Sequence, residues 1–456
     1  MSGMRTIFKA VLLVLGGVAL PAALGAPATA GTLAALNARR VDNATVSPAP
    51  VEYDPAKPTA VVVVGDKGAV ASDTLAPYEI LATTGKFNVY AVASTADPLP
   101  LTGGLDLVPD LTFAELEDVL GGPADLVVVP AMPDVGRPTT KPVTDWLTTQ
   151  ASGGALILSV CNGAAVVAST GILDGHKATA HWLRIDDWEN SYPDVDWVRE
   201  TRYVDDGDMI STAGILSGID GTLHVVERLI GTDAAADAAQ DIEWPYYESP
   251  ARAQMEQARL EPSDAVVALN AGFGGSRAII GIQLSDGVGE IELASVFDTY
   301  AQSLAVDTIA VGEHAVRSRH GLTFVPRTDT GAGLDRLIVP GTMEHDVLPG
   351  PETVHPHRQP GFAYDPVLQD LARTTDLATA QWTAKALEYP TTGLNLHGSP
   401  WPWGQTLRLI ALAITGVLVF ITVSIVASLR ATRAEAEPVF RRRGRVSSDG
   451  KDRADV

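Results

Sequence analysis

Residues 154–170 read GALILSVCNGAAVVAST. The apolar run ALILSV gives way at Cys161 to small residues and then to an alanine- and valine-rich stretch. A short apolar run bounded by glycine predicts a strand buried on both faces, and the stretch that follows predicts a helix. Cys161 is the only cysteine in 456 residues, and it falls at the junction. A nucleophile on a tight strand-to-helix turn is pushed outward into a cleft, and it needs small neighbours because the backbones approach closely. Ser159 and Gly163 supply them. The unpaired N–H groups of the helix start favour thiolate, so the expectation is a thiol pKa below the usual value of about 8.5. The competing reading is an inert cysteine packed as a small apolar residue.

Outward from this turn the same alternation continues. TAVVVVGD from Thr59, FNVYAVAS, ADLVVVPA and GALILSVCN are short runs rich in β-branched residues. Between them lie helical stretches such as SDTLAPYEILATTG and TKPVTDWLTTQAS, and GTLHVVERLIG closes the pattern near residue 231. Strands alternating with helices predict an α/β fold: a three-layer sandwich with a mainly parallel sheet, over residues 58–232. From Arg277 the order strand, turn, acid, helix, strand and a "GL..VP" segment recurs, down to Pro340. That predicts a degenerate partial second copy over 277–400, joined to the first by a connector at 233–276. The repeat holds Glu292 and Gly341 at positions matching the first copy, and it lacks a cysteine. AGFGGS after Asn270 reads as a glycine-rich linker, and no nucleotide-binding loop stands in a strand–turn–helix context.

The ends of the chain set its expected compartment. Residues 1–30 carry Arg5 and Lys9 ahead of an apolar stretch and the small-residue site Ala28-Thr29-Ala30, which predicts a signal peptide or N-terminal anchor. Residues 31–57 read as a linker. Residues 406–429 predict a transmembrane helix, with LIALAITGVLVFITVSIVASL close to the roughly 20 residues a span needs. Trp401 and Trp403 precede it, and Arg430, Arg433 and Arg441 to Arg443 follow. Basic residues gather on the cytoplasmic side. The expected arrangement is a cell-membrane protein, single-pass at the C-terminus, with most of the chain extracytoplasmic and a basic cytoplasmic tail at 430–456. The tail has eight basic and five acidic side chains, whereas the whole chain carries −22, so the acid excess belongs to the remainder. Such a surface repels nucleic acid. An unpaired cysteine in an exported chain suggests a reactive thiol or intermolecular pairing.

SVCNGAAVVASTGILDGHKATAHW and STAGILSGIDGTLHVVERLIG are similar to segments of the ThiJ/PfpI family, within the class I glutamine-amidotransferase-like superfamily. That superfamily includes the parkinsonism-associated deglycase and isonitrile hydratase. The similarity is greatest to the branch fused to AraC-type regulators, and it spans about residues 58–232, with 277–341 as a weaker copy. It implies a flavodoxin-like sandwich with Cys161 as the central thiol, a carboxylate at Asp73, and a histidine at His181. It also implies either a homodimer or internal pairing of the two copies. Asp73 can donate a proton to a Cys161 thiolate or serve as a helix N-cap. His181 reads as a base or as a pocket residue, and Trp182 as pocket wall or core. Asn162 stands where isonitrile hydratases carry threonine, with its backbone N–H left as an oxyanion donor. Ala131-Met132 replaces a glycine pair, which disturbs the second half of that oxyanion hole.

His345, His355 and His357 share one loop, which reads as solvated rather than as a metal site; neither metal nor cofactor is expected. Two functions remain open. One is a cysteine-dependent hydrolase, hydratase (lyase) or glyoxalase-type enzyme acting on a small electrophile. The other is a non-catalytic ligand-binding or sensory module tethered to the membrane. Either way the partner is a small molecule.

Overall fold

The computed structural model describes residues 2–39, 46, 48, 50–248, 250–344, 346–349 and 351–443. β1 (Thr59–Val63) is buried along its whole length, with Ala60 and Val62 in one core and Val61 and Val63 in another. A strand apolar on both faces has to be covered on both, which parallel neighbours with helical crossovers achieve. β1 pairs in parallel with β2 (Asn88–Ala93) and β6 (Leu126–Val129). β6 pairs in parallel with β7 (Leu156–Ser159), and β7 with β11 (Met209–Thr212). β10 (Tyr203–Asp206) closes one edge antiparallel to β11, and β5 (Leu111–Thr112) closes the other. The order of the seven strands is β10-β11-β7-β6-β1-β2-β5.

Helices cover both faces. Leu75 and Ile80 of α2 (Ala71–Thr83), Leu223 and Val226 of α7 (Ser217–Leu229) and Ala235 of α8 (Thr232–Asp241) fill one core. Leu116 of α3 (Phe113–Leu120), Val143 and Leu147 of α4 (Lys141–Ser152), and Ala164 and Val166 of α5 (Gly163–Ala168) fill the other. β8 (Lys177–Ala178) and β9 (Asp196–Trp197) form a small parallel ribbon on either side of α6 (Ile185–Ser191). The α/β class and the mainly parallel sheet are as the sequence predicts.

Residues 262–402 build a second sheet. β12 (Ile279–Gln283) pairs in parallel with β13 (Asp307–Val311) and β16 (Arg336–Ile338), and β16 with β17 (Thr353–Val354), giving β13-β12-β16-β17. The hairpin β3 (Leu99–Leu101) and β4 (Leu105–Val108) meets the hairpin β14 (Val316–Arg317) and β15 (Thr323–Val325), with Leu107 opposite Phe324. α9 (Ala265–Phe273) runs into the stretch expected as a glycine linker, so irregular chain begins only at Gly274. The helical segment after the proline-rich loop is two helices, α11 (Tyr364–Thr374) and α12 (Leu377–Ala386). They break where the Asp376 side chain accepts the Thr379 N–H at 2.8 Å, an N-cap that restarts the helix.

α10 (Glu290–Ser303) packs along α2. Asp298 of α10 accepts the Ser72 N–H at 2.6 Å and also bonds the Ser72 hydroxyl, while Glu79 of α2 accepts the Ile291 N–H at 2.5 Å. Each helix therefore uses a carboxylate about two turns along its length to satisfy an orphan N–H at the start of the other.

The chain divides into two compact units, Ala30–Pro402 as described, and Met1–Thr29 with Trp403–Val456. The second unit contains the first part of α1 (Ser2–Ala35) and α13 (Trp403–Arg443). Val14–Ala35 and Trp403–Ala431 are long and apolar enough to cross a membrane, with mean hydropathies of 1.4 and 2.8. Within this unit the helices touch at glycines: a Cβ on Gly416 would lie 2.3 Å from the Gly16 carbonyl oxygen. The tail beyond Arg443 lies outside the described residues.

Gly163, the first residue of α5, tests the strand-to-helix turn. A Cβ there would sit 2.0 Å from the Val129 carbonyl oxygen, which is held by the Val160 N–H in the middle of the sheet. We expect Gly163→Ala to cost about 3 kcal/mol or more in urea unfolding, since neither backbone can yield. A loss within about 0.5 kcal/mol would show that the turn is not packed as described.

Candidate functional site

Cys161 sits where β7 ends and α5 begins, with φ of +57°. Left-handed backbone costs a non-glycine residue roughly 1–2 kcal/mol, and packing on both sides holds it here. The Val160 N–H donates to Val129 O at 2.9 Å, the Gly163 N–H to Val160 O at 2.8 Å, and the Cys161 N–H to Thr212 Oγ1 at 3.4 Å. The turn is the predicted elbow, but the thiol is not in an open cleft: Cys161 is only 3 % exposed. Burial pushes its pKa well above the ordinary thiol value, the charge of Asp73 adds to the rise, and the Asn162 N–H opposes it. The expectation of a thiolate lowered by the helix start is thus overturned. α5 has six residues, and its field does not outweigh desolvation and nearby carboxylates.

Asp73 is the third residue of α2 and is fully buried. The N-cap position belongs to Val70, so Asp73 is not the cap. Its Oδ2 accepts the Ala131 N–H at 3.0 Å, and Oδ1 has no hydrogen-bond partner among the described residues. Burial drives its pKa well up, with further increments from Asp298 and Glu388. The charge of Asp73 acts on the thiol and raises its pKa, so a buried carboxyl with one free oxygen stands within electrostatic reach of a buried thiol.

The other residues singled out from sequence are placed as follows. His181 Nδ1 accepts the Leu183 N–H at 3.3 Å, which leaves the proton on Nε2, 2.8 Å from Ala386 O. Burial lowers its pKa to about 4, so the ring is neutral at physiological pH. Acting as base at Cys161 would require it to give up one of these backbone bonds. Trp182 donates its Nε1–H to Lys385 O at 3.3 Å and packs against Trp382, which makes it wall and core. The Asn162 side chain is turned away, its Oδ1 accepting the Trp188 indole N–H at 2.8 Å. Ala131 and Met132 are buried, and the Ala131 N–H expected at an oxyanion hole is spent on Asp73.

The histidine loop differs from expectation. His357 is buried, accepting the Gly341 N–H on Nδ1 at 2.9 Å with Nε2 3.0 Å from Ser295 Oγ, so it ties the loop down rather than facing solvent. His345 lies outside the described residues.

Sequence reasoning missed Glu388. It follows α12 with φ of +55°, and its Oε2 accepts the Ser217 hydroxyl at 2.6 Å. Its charge reaches both Cys161 and Asp73, and its own pKa is raised to about 7 by burial. The only local signal was an acid just past a helix end, more than two hundred residues from Cys161.

The neutral, backbone-bound state of His181 has a measurable consequence. Its folded pKa lies below the unfolded value of about 6.5, so the unfolded chain binds more protons between these values and stability falls as pH drops. His181→Gln can keep a donor to Ala386 O without that titration. We expect the wild type to lose on the order of 2 kcal/mol relative to the variant between pH 7 and pH 5 in urea unfolding. Equal losses would show a histidine free to ionise.

Residues 58–228 match the DJ-1/PfpI family. An isonitrile hydratase of Pseudomonas putida is 31% identical over 166 residues, covering 36% of this chain and 68% of that protein. The HTH-type transcriptional regulator CdhR of Pseudomonas aeruginosa is 28% identical, covering 33% of this chain and 43% of the regulator. Among solved structures, a ThiJ/PfpI family protein from Pseudomonas syringae overlaps 41% of this chain and 76% of its own, at 24% identity and a TM-score of 0.36. The chain is a member of the DJ-1/PfpI family.

Proposed function

We propose that Cys161 and Asp73 form a thiol–carboxyl centre that adds to a small electrophile, in a protein held at a membrane. The observation that carries this reading is the pair itself: a cysteine in left-handed backbone beside a fully buried carboxyl that keeps one oxygen unpartnered. Packing alone has no use for a buried oxygen with no partner, and glycine would relieve the left-handed backbone. In the proposed step the Cys161 S–H proton passes to Asp73. The sulfur electron pair forms an S–C bond while the π pair of a C=X electrophile moves to X, and Asp73 returns the proton there; on an isonitrile the attacked carbon keeps the electron pair and takes the proton from Asp73, giving a thioformimidate. The hydratase named among the relatives suggests isonitriles as one probe, and two-carbon and three-carbon oxoaldehydes are another.

The second reading is a ligand-binding or sensory module. It is favoured by the closure of Cys161 and by the use of the Ala131 N–H on Asp73.

The C-terminal half is read as a degenerate second copy paired internally with the first. The matching strand orders β2-β1-β6-β7 and β13-β12-β16-β17 support this, as do the Leu107–Phe324 pairing and the reciprocal caps between α2 and α10. The proposed domains are 1–30 as signal or anchor, 58–232, 277–400, 406–429 as the span, and the tail at 430–456. Arg430 and Arg433 after the apolar helix support a cytoplasmic tail, with the bulk outside.

The test is adduct formation and turnover by the full chain in detergent, offered cyclohexyl isocyanide and methylglyoxal. Expected is a mass adduct on Cys161, absent in Cys161→Ser and slowed about 10²-fold or more in Asp73→Asn. Unaltered probes and no adduct would leave the binding module. For topology, external protease on intact cells should digest the region 58–400 and spare a C-terminal tag; a digested tag would exclude the proposed orientation.

A further inference from the structure

Four consecutive residues at the end of α12, Lys385 to Glu388, dock onto the wall of the Cys161 site. The carbonyls of Lys385, Ala386 and Leu387 accept from Trp182 Nε1, His181 Nε2 and the Leu216 N–H. Glu388 then turns its side chain inward, in left-handed backbone, so that Oε2 meets the Ser217 hydroxyl at 2.6 Å, while the Gly214 N–H draws the carboxyl's pKa down. Its Oε1 is buried with no partner among the described residues. Gly214 is cut to receive it: a Cβ there would fall 2.1 Å from the Glu388 carboxyl carbon. The receiving loop abuts the elbow, since a Cβ on Gly218 would lie 2.7 Å from Val160, the neighbour of Cys161. On the other side the strap borders a cavity of about 780 Å³ that Trp382, Tyr246 and Tyr389 help to line.

The donors and the acceptor belong to different parts of the chain. Gly214 and Ser217 lie within the family-matched residues 58–228, whereas Glu388 comes from far beyond them. A side chain reaching in from a later segment, holding strained backbone and leaving one buried oxygen unmatched, behaves as an internal ligand. We propose that the Gly214 N–H and Ser217 hydroxyl form a carboxylate-binding subsite of the Cys161 centre, with Glu388 occupying it until a small carboxylate-bearing molecule displaces the strap. The subsite stands at the start of α7, a helix of thirteen residues, where the helix field, Ser217 and Arg202 favour an anion against the cost of burial and the charge of Asp220. The cavity behind the strap gives the displaced segment and the entering molecule room. This deepens the thiol–carboxyl reading by naming the substrate as a small electrophile that also carries a carboxylate.

The experiment uses the full chain in detergent, with Glu388→Gly to empty the subsite and relax the left-handed residue. Formate and acetate are titrated against chloride at equal ionic strength while the melting temperature is followed. The Gly variant should gain several degrees, saturably, and wild type should not. Adding Ser217→Ala to the Gly variant should abolish the gain. In parallel, Cys161 is alkylated with iodoacetate and with iodoacetamide. In the Gly variant the ratio of the two rates should exceed that of the same protein in urea by about tenfold, because the carboxylate reagent is held at the subsite. If the Gly variant does not fold, Glu388→Gln serves: acetate should then speed its alkylation by iodoacetamide, by competing the weakly held strap away.

Formate and acetate acting no better than chloride, or a rate ratio equal to that in urea, overturns the subsite. Carboxylate stabilisation with a thiol inert to both reagents would keep the subsite and remove the reactive-thiol reading. Fast iodoacetamide reaction with no carboxylate preference would do the reverse.

Discussion

The Ser72 N–H held by Asp298, and the Ile291 N–H held by Glu79, fix α2 against α10 and with it everything that faces the thiol. The first turn of α2 carries Ser72 and Asp73 side by side. The bond that joins the two halves of the chain therefore sits one residue from the carboxyl that faces Cys161. Burying these carboxylates is costly, as their raised pKa values show: about 6 for Asp298 and about 7 for Glu79. The cost is met because each satisfies a helix-start N–H that would otherwise be orphaned in a dry interface. Arg319, 3.0 Å from Glu79, and Tyr364, bonded to the Ser72 hydroxyl, extend the same network.

From that constraint the character of the site follows. α10, α11 and α12 lie over the face of the first sheet that carries α2 and α7, and their buried side chains join the same core. This surface brings the end of α12 and the two residues after it to His181, Trp182, Leu216 and Ser217. A centre shut in this way is dry, which is why thiol and carboxyl both resist ionisation, and why the helix start alone does not make a thiolate. The elbow therefore supplies geometry rather than a permanently activated sulfur.

Much of this was legible in the sequence, for identifiable reasons. Strands such as Thr59–Val63 and Leu156–Ser159 are apolar on both faces, so they announce a parallel sheet without any knowledge of their partners. Cys161 and Gly163 were readable because the turn demands small residues, and the "GL..VP" repeat pointed to the strands β4 and β15 that pair across the two halves. Three things were not legible. The pKa of Cys161 is raised in part by the charge of Glu388, more than two hundred positions away. His181 is neutral because burial outweighs the Ala386 carbonyl, which favours the charged ring, and neither effect carries a side-chain signature in the sequence. Glu388 enters the site through a left-handed residue at a helix end, a placement decided by tertiary packing rather than local pattern.

The thiol–carboxyl reading depends on the charge of Asp73 acting on the Cys161 thiol. The most direct measurement is the pH dependence of thiolate ultraviolet absorbance in the folded full chain, with wild type beside Asp73→Asn. The charge of Asp73 raises the thiol's pKa, so neutralising that position should bring the thiolate in at lower pH than in wild type, where it appears above the ordinary value of about 8.5. A midpoint that does not move between the two proteins would contradict the pairing and leave Cys161 an ordinary buried cysteine.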